Sequence, residues 1–157
     1  MPSLEDHEAR IQRLEDVEQI RRLKHAYARL VDDNFRHEEL GQLFAEDGVM
    51  DGGVFGRNEG REAIAAFFDG MQSQLTFAMH FMTGETIDVD PSGTSASGHW
   101  YLWELGTLDG QAVWIAMTYN DTYVKQNGKW LFQETNLLIN FVTPYEDGWV
   151  KTPMLER

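Results

Sequence analysis

Apolar residues recur at helical spacing in the first part of the chain. They are three or four positions apart, and Glu, Arg and Gln fill the gaps between them, which predicts an amphipathic helix of about six turns. The cluster Asp32, Asp33 and Asn34 should end the helix, because short polar side chains hydrogen-bond their own backbone in turns. The recurring positions are Ile11, Leu14, Val17, Ile20, Leu23, Tyr27 and Leu30.

Three shorter elements are predicted after this helix. The segment HEELGQLFAED (37–47) predicts a second helix, and the glycine-rich GVMDGGVFGRNEG (48–60) predicts a small hairpin around its Asp-Gly-Gly turn. The segment REAIAAFFDGMQS (61–73) returns to helical spacing. Its buried stripe should contain Ile64, Phe67, Phe68 and Met71.

Four strand-like runs follow, and short turns join them. The turns are Asp90-Pro91-Ser92-Gly93, Asp109-Gly110 and Asn127-Gly128, which connect antiparallel neighbours. Helices first and a strand meander afterwards predict one α+β domain over residues 1–157, with N-terminal helices packed over the concave face of a cone-shaped, curved antiparallel or mixed sheet. The strands are expected at about 76–89, 94–107, 111–125 and 129–142, and residues 143–157 should form an extended tail over the pocket mouth or a neighbouring subunit.

Charge and composition narrow the range of possible partners and functions. With 13 basic and 26 acidic side chains the formal net charge is −13, which disfavours nucleic acid and anionic membranes as partners. Cysteine is absent, and the N-terminus is charged where a signal peptide would be apolar, so we predict a soluble cytoplasmic protein. Nine Phe, five Trp, five Tyr and seven Met either fill the core or line a pocket for a small hydrophobic substrate.

Four side chains are candidates for chemistry in such a pocket. His80 lies in the apolar strand FAMHFMT and can exchange a proton near neutral pH; the alternative is a structural or exposed histidine. Asp32, at the end of the first helix, could orient the His80 ring, although Asp33 competes for that role and a turn residue is the plain alternative. Tyr27, on the buried helix stripe, either binds a substrate oxygen or is a core tyrosine.

The fourth candidate, Glu104, shares a strand face with Trp100 and Leu102, and it could donate a proton to a leaving group or point to solvent. No metal-binding, phosphate-binding or dinucleotide-binding motif is present, so no metal and no cofactor is expected. Polar or aromatic residues on the later strands could line the same cavity. These secondary candidates are His99, Trp103, Asn120, Asn136 and Asn140.

The motifs of the chain, taken in order, resemble a known superfamily. They are IRRLKHAY at 20–27, LFAEDGV at 43–49, GREAIAAFF at 60–68, MHF at 79–81, SGHWYL at 97–102, NGKWLF at 127–132 and NFVTP at 140–144. This order resembles the nuclear transport factor 2-like superfamily and its SnoaL-like branch of polyketide cyclases and dehydratases. The resemblance covers nearly the whole chain.

Within that branch the chain is most similar to enzymes of the bile acid 7α-dehydratase type and the hexachlorocyclohexane dehydrochlorinase type. The resemblance to the first implies catalytic roles for Tyr27, Asp32, His80 and Glu104, where the family has an aspartate in place of this glutamate. The second shares only Asp32 and His80: its lysine is Tyr27 here, and its late arginine falls near Thr135. The family also implies a homo-oligomer built on a sheet face, a trimer in preference to a dimer.

Three functions are compatible with these observations. The first is a cofactor-independent lyase of the dehydratase type, or an isomerase, that abstracts a proton from a hydrophobic cyclic substrate such as a steroid, terpenoid or polyketide. The second is a binding module that holds such a ligand without converting it. The third is a scaffold that only assembles. Hydrogen bonding between His80 and Asp32 inside a pocket would favour the first.

Overall fold

A computed structural model describes residue 1 and residues 3–154 of the chain. Two helices come first, a short hairpin and a third helix follow, and a meander of four long strands leads to a short helix that ends the described part. The helices are α1 (Leu4–Asp32), α2 (His37–Gln42), α3 (Arg61–Met71) and α4 (Gly148–Lys151). The strands are β1 (Phe44–Asp51), β2 (Arg57–Glu59), β3 (Leu75–Val89), β4 (Ser95–Leu108), β5 (Gln111–Gln126) and β6 (Lys129–Pro144).

Helix α1 is longer than its apolar stripe predicts. It begins at Leu4 because Ser3 and Asp6 form a capping box, in which each side chain accepts a hydrogen bond from the other residue's backbone N–H. Ile11 and Leu14 were expected in the buried stripe, but they are 56% and 70% exposed. The turns before Asp16 lie outside the core, so the stripe meets a neighbour only in the later part of the helix.

The predicted second helix is too long. Helix α2 ends at Gln42, and the following residues belong to β1, where Phe44 and Ala45 are fully buried. Phe44 pairs with Phe132 of β6, so strand pairing prevails over local helical preference. The predicted hairpin is present as the antiparallel pair β1–β2, with a 3-10 turn at Gly53–Phe55 between the strands.

The four long strands confirm the predicted meander. Asp109-Gly110 and Asn127-Gly128 both have positive φ angles, as two-residue type I′ turns require, and they join β4 to β5 and β5 to β6. The sheet order is β2-β1-β6-β5-β4-β3, and β1 runs parallel to β6, so the sheet is mixed. Its two edge strands do not pair with each other, so the sheet is curved but unclosed.

The inner face of the sheet packs against α1 and α3. Register shifts in β3 near Gly84 and in the β5–β6 pair interrupt the ladder, and such bulges increase strand twist and bending. The core lies between this concave face and the helices, as predicted. Its largest fully buried side chains include Ile20, Lys24, Ile64, Trp100, Tyr119 and Phe132.

The tail is partly helical, contrary to the extended conformation predicted for it. Helix α4 places Trp149 against Trp103 and Phe141 on the outer face of the sheet, because these aromatic rings offer apolar contact there. The described tail therefore packs on the face opposite the core, while residues 155–157 lie outside the described residues. None of the helices in the described part is both long and apolar enough to cross a membrane.

Candidate active site

His80 and Asp32 form a hydrogen-bonded pair at the end of α1. The Nδ1–H group of His80 donates to Oδ1 of Asp32 across 2.6 Å, and the backbone N–H of His80 lies 3.1 Å from both carboxylate oxygens. The His80 side chain is 5% exposed and that of Asp32 is 28% exposed. Asp33, the competing candidate, instead pairs with Arg36 at the surface. Asp32 is therefore the carboxylate that fixes the His80 ring.

Local backbone geometry aims Asp32 at the sheet. Helix α1 ends where Asn34 and Phe35 adopt left-handed φ angles of 57° and 50°. The N–H groups of Phe35 and Arg36 bond back to carbonyls of the last helical turn, which fixes the direction of the chain. Asp32 is the last residue of the helix, so its side chain reaches β3 while Phe35 turns inward and is buried.

Glu104 lies on the other side of the His80 ring. His80 on β3 and Glu104 on β4 are directly paired in the sheet, and paired residues project on the same face. Oε2 of Glu104 is 3.5 Å from Nε2 of His80, its side chain is 2% exposed, and Oε1 has no hydrogen-bond partner among the described residues. The sequence left open whether Glu104 faces the pocket or points to solvent, and in the structure its side chain is buried.

Burial and neighbouring charges shift the pKa values of both His80 and Glu104. Burial disfavours the charged imidazole, but the nearby Glu104 and the hydrogen bond to Asp32 outweigh it, so the pKa of His80 is raised above 6.5. Burial also raises the pKa of Glu104, although the positive charge of His80 opposes this. The site thus combines an oriented imidazole with a carboxyl group that tends to hold its proton.

His80 and Glu104 line an apolar cavity between the sheet and the helices. The cavity has a volume of about 70 Å³ and is partly open to solvent. The polar residues in its lining are His80, Glu104 and two tyrosines, Tyr27 from α1 and Tyr119 from β5. The rest of the wall is apolar, as is typical of sites for small hydrophobic ligands. This part includes Val31, Phe35, Met50, Phe68, Leu75 and Met117.

The two tyrosines form a buried pair of phenols. Tyr27 is 3% exposed and Tyr119 is 1% exposed, and their rings meet edge to face. Burial raises the pKa of Tyr27, a contact with the Tyr119 hydroxyl partly opposes that shift, and burial likewise raises the pKa of Tyr119. Both hydroxyls therefore keep their protons at neutral pH and can donate hydrogen bonds.

The five secondary candidates lie on the outer face and do not line the cavity. His99 bonds Asn120 there, and Trp103 stacks on Trp114. Asn136 is paired with Asn120 in the sheet and so projects on the same face, and Asn140 is exposed and bonds Thr118. The proposal that these residues share the cavity is therefore wrong, because strand alternation puts them opposite the inward residues.

Sequence reasoning missed three buried residues beside the cavity: Lys24, Tyr119 and Asp121. Lys24 follows Ile20 by four positions and precedes Tyr27 by three, so it lies on the buried stripe of α1. Tyr119 and Asp121 alternate with outward residues on β5. The signal that could have found them was a lysine inside an apolar helical stripe, because such a residue must have a buried partner.

The arrangement is suited to moving a proton between carbon or oxygen atoms of an apolar ligand. Nδ1 of His80 is engaged by Asp32, which leaves Nε2 to accept a proton from a group in the cavity. Glu104 can return a proton, and the tyrosines can hold an oxygen atom. Within residues 3–154 no three His, Asp or Glu side chains are grouped so that they could hold a metal ion.

Comparison of the sequence with protein families gives one match. The family model of the SnoaL-like domain covers residues 12–136, which include most of α1, the whole of β3, β4 and β5, and all four candidate site residues. Among curated proteins, none matches the chain in sequence.

Solved structures with the same fold are numerous. Hexachlorocyclohexane dehydrochlorinase LinA, type 2, superposes with a TM-score of 0.79 at 22% identity, covering 85% of this chain and 91% of that one. A candidate scytalone dehydratase from Novosphingobium aromaticivorans has a TM-score of 0.76 at 23% identity, covering 93% and 97%. A nuclear transport factor 2-like protein with a cystatin-like fold, also from Novosphingobium aromaticivorans, has a TM-score of 0.76 at 26% identity, covering 88% and 91%. The first two likenesses establish the fold alone.

Proposed function

This chain belongs to the SnoaL-like domain family, and we propose that it is a cofactor-independent lyase or isomerase that abstracts a proton from a hydrophobic cyclic substrate. One observation carries the proposal. The His80 ring is held at Nδ1 by Asp32 across 2.6 Å and presents Nε2 to an apolar cavity. An oriented, partly desolvated imidazole of this kind is a general base.

The groups in the cavity can carry out each proton transfer of an elimination. Nε2 of His80 takes a proton from the carbon next to a substrate carbonyl, and the C–H electrons form an enolate whose oxygen is held by the Tyr27 hydroxyl. The enolate re-forms the carbonyl while the C–O bond to a β-hydroxyl breaks. Protonated Glu104 gives its proton to the departing hydroxide, so water leaves and a C=C bond remains. Isomerisation uses the same first step and returns the proton to another carbon.

The chain differs from the dehydrochlorinase type at two positions, and both differences favour dehydration over dehydrochlorination. Resemblance to the dehydrochlorinase type requires a lysine where this chain has Tyr27 and an arginine near Thr135, and neither cation is present at those positions. Tyr27 is instead a neutral hydrogen-bond donor, which suits a carbonyl oxygen. The apolar wall suits a fused or substituted ring, such as a steroid, terpenoid or polyketide.

A binding module is the alternative, because the same apolar cavity could hold a ring without converting it. Hydroxydecalones with a hydroxyl β to the carbonyl are suitable probes for separating the two functions. Thermal shift reports their binding, and ultraviolet absorbance reports the enone produced by loss of water. Enone formation faster than in protein-free buffer supports the lyase; binding without enone formation supports the module.

The pH profile tests the role of Glu104. Neutral His80 is the base, so kcat/KM should rise with pH through the pKa of His80, which lies above 6.5. The acid role requires Glu104 to keep its proton, and burial raises the pKa of this carboxyl, so kcat/KM should fall again at higher pH as Glu104 ionises. Glu104→Gln has no proton to lose or donate, so its profile should lack this alkaline limb, with a plateau about tenfold or more lower because the acid is lost. An unchanged plateau and alkaline limb, measured on the hydroxydecalone probe, would contradict the assignment.

We further propose that the chain forms a homotrimer through the outer face of its sheet. The outward side chains of β3 and β4 around residues 77–83 and 101–105 carry no charge, and an exposed apolar face of this kind is unusual on a monomer. Light scattering should give three times the chain mass of 18.1 kDa; a monomer or dimer mass would contradict the proposal. The exposed apolar residues include Phe77, Met79, Phe81, Tyr101 and Leu138.

A further inference from the structure

A fully buried ion pair lies directly behind the tyrosine pair of the cavity. Nζ of Lys24 is 2.8 Å from Oδ2 of Asp121, and both side chains are 0% exposed. The same ammonium lies over the Tyr119 ring, 3.6 Å from its centroid, and 5.2 Å from the centroid of Tyr27. Lys24 itself does not line the cavity, so it acts on a ligand through the residues that do: the two tyrosines, and His80, whose pKa its charge lowers.

The two ends of the ion pair contact different neighbours. Oδ2 of Asp121 also accepts a hydrogen bond from the Tyr123 hydroxyl at 2.9 Å, and that hydroxyl accepts one from Nε1 of Trp100 at 3.0 Å. These bonds anchor the carboxylate on the side of Tyr123, while the ammonium contacts the ring that lines the cavity. A ligand in the cavity is therefore separated from the positive end of the pair by one aromatic ring.

We propose that Lys24 is a positioning residue of this site, which makes the hydroxyls of Tyr27 and Tyr119 a subsite for a carbonyl oxygen that becomes negatively charged. The proposal rests on the proposed function and deepens it, because it defines the substrate as a carbonyl compound that passes through an enolate. A cation against the face of a phenol withdraws electron density from it and strengthens its hydroxyl as a hydrogen-bond donor.

Folding alone does not require this ion pair. A buried ion pair can often be replaced by uncharged residues of similar volume at little cost, whereas removal of one partner leaves a buried charge and is strongly destabilising. Asp121 also acts against an oxyanion, since its negative charge raises the pKa values of Tyr27 and Tyr119. The contact of the ammonium with the face of the Tyr119 ring, 3.6 Å from its centroid, is the part of the pair that favours an oxyanion.

The test compares Lys24→Met with the double variant Lys24→Met/Asp121→Asn. The single variant should lose roughly 10 °C in thermal midpoint because Asp121 is left unpaired. The double variant should recover most of that loss, because no charge is buried and the Asn oxygen still accepts from Tyr123. His80, Asp32 and Glu104 are retained in both variants. Because the charge of Lys24 lowers the pKa of His80, that pKa is measured by NMR in each protein and affinities are compared where His80 is neutral in all of them.

The probe is 2-naphthol, whose ionised form mimics an enolate, with naphthalene as the uncharged control. Absorbance titration gives the pKa of bound 2-naphthol, and calorimetry gives both affinities. We expect the double variant to bind ionised 2-naphthol about tenfold more weakly than the wild type and naphthalene within about twofold. Equal binding of ionised 2-naphthol by both proteins would overturn the proposal.

A second measurement needs no variant and applies if the double variant does not fold. In wild-type protein labelled with ¹⁵N-lysine, the Nζ resonance of Lys24 should shift on addition of 2-naphthol and stay in place with naphthalene. An unchanged resonance with bound 2-naphthol overturns the proposal. Hydroxydecalone turnover is measured separately. If the protein stabilises bound naphtholate but forms no enone, the oxygen subsite is supported and the lyase function is refuted.

Discussion

His80→Ala is expected to lower kcat/KM for hydroxydecalone dehydration by about 10²–10⁴-fold, the usual contribution of a general base. Nε2 of His80 is presented to the cavity with Nδ1 engaged by Asp32, and the described lining offers no second imidazole. Ligand affinity should change by only a few fold, because most of the wall is apolar and remains. Steady-state kinetics and calorimetry on the same protein separate the two effects.

His99→Ala is the matched control for this variant. His99 is also on the sheet, but it lies on the outer face and bonds Asn120, so its removal should leave kcat/KM within about twofold. Dehydration by the His80→Ala protein at the wild-type rate would refute the base assignment. A parallel loss in the His99 variant would show that both substitutions act through folding.

Asp32→Asn is expected to reduce kcat/KM by a comparable 10²–10⁴-fold while the protein remains folded. The backbone N–H of His80 lies 3.1 Å from the Asp32 oxygens and requires an acceptor, so the amide oxygen should take that place. The amide NH₂ then donates to Nδ1 of His80. This forces the ring hydrogen onto Nε2, and the nitrogen facing the cavity can no longer accept a proton.

Asp33→Asn provides the comparison for Asp32→Asn. Asp33 differs by one position, is exposed and pairs with Arg36 at the surface, an interaction that contributes little. Its variant should keep wild-type activity and thermal midpoint. Equal losses in the two variants, or full activity in Asp32→Asn, would refute the role of the Asp32–His80 hydrogen bond in setting the tautomer.

The strand meander was the most predictable part of the fold. Turn residues such as Asn127-Gly128 select one turn geometry and so fix the register of the flanking strands. Boundaries that depend on tertiary contact were less predictable. Phe44 joins β1 because β6 pairs with it, and Ile11 is exposed because the start of α1 lies outside the core formed by the described residues. Neither the pairing of Phe44 nor the exposure of Ile11 can be inferred from the local sequence.

The candidate site was predictable in its types of residue and less so in its selection. The end of α1 indicated an acid, but only the observed geometry separates Asp32 from Asp33. Strand alternation would have excluded His99 and Trp103, since Trp100, Leu102 and Glu104 face the opposite way. Lys24 escaped notice because a lysine normally lies outside a core, and its buried partner is distant in sequence.

Proton abstraction by His80 is tested most directly by hydrogen exchange on an unreactive ketone. A decalone without a β-hydroxyl cannot eliminate water, but its α-hydrogens exchange with D₂O once a base removes them. Mass spectrometry should show faster deuterium incorporation with the wild-type and His99→Ala proteins and the buffer rate with His80→Ala. Binding of the decalone with no acceleration by the wild type, or equal acceleration by His80→Ala, would contradict the account.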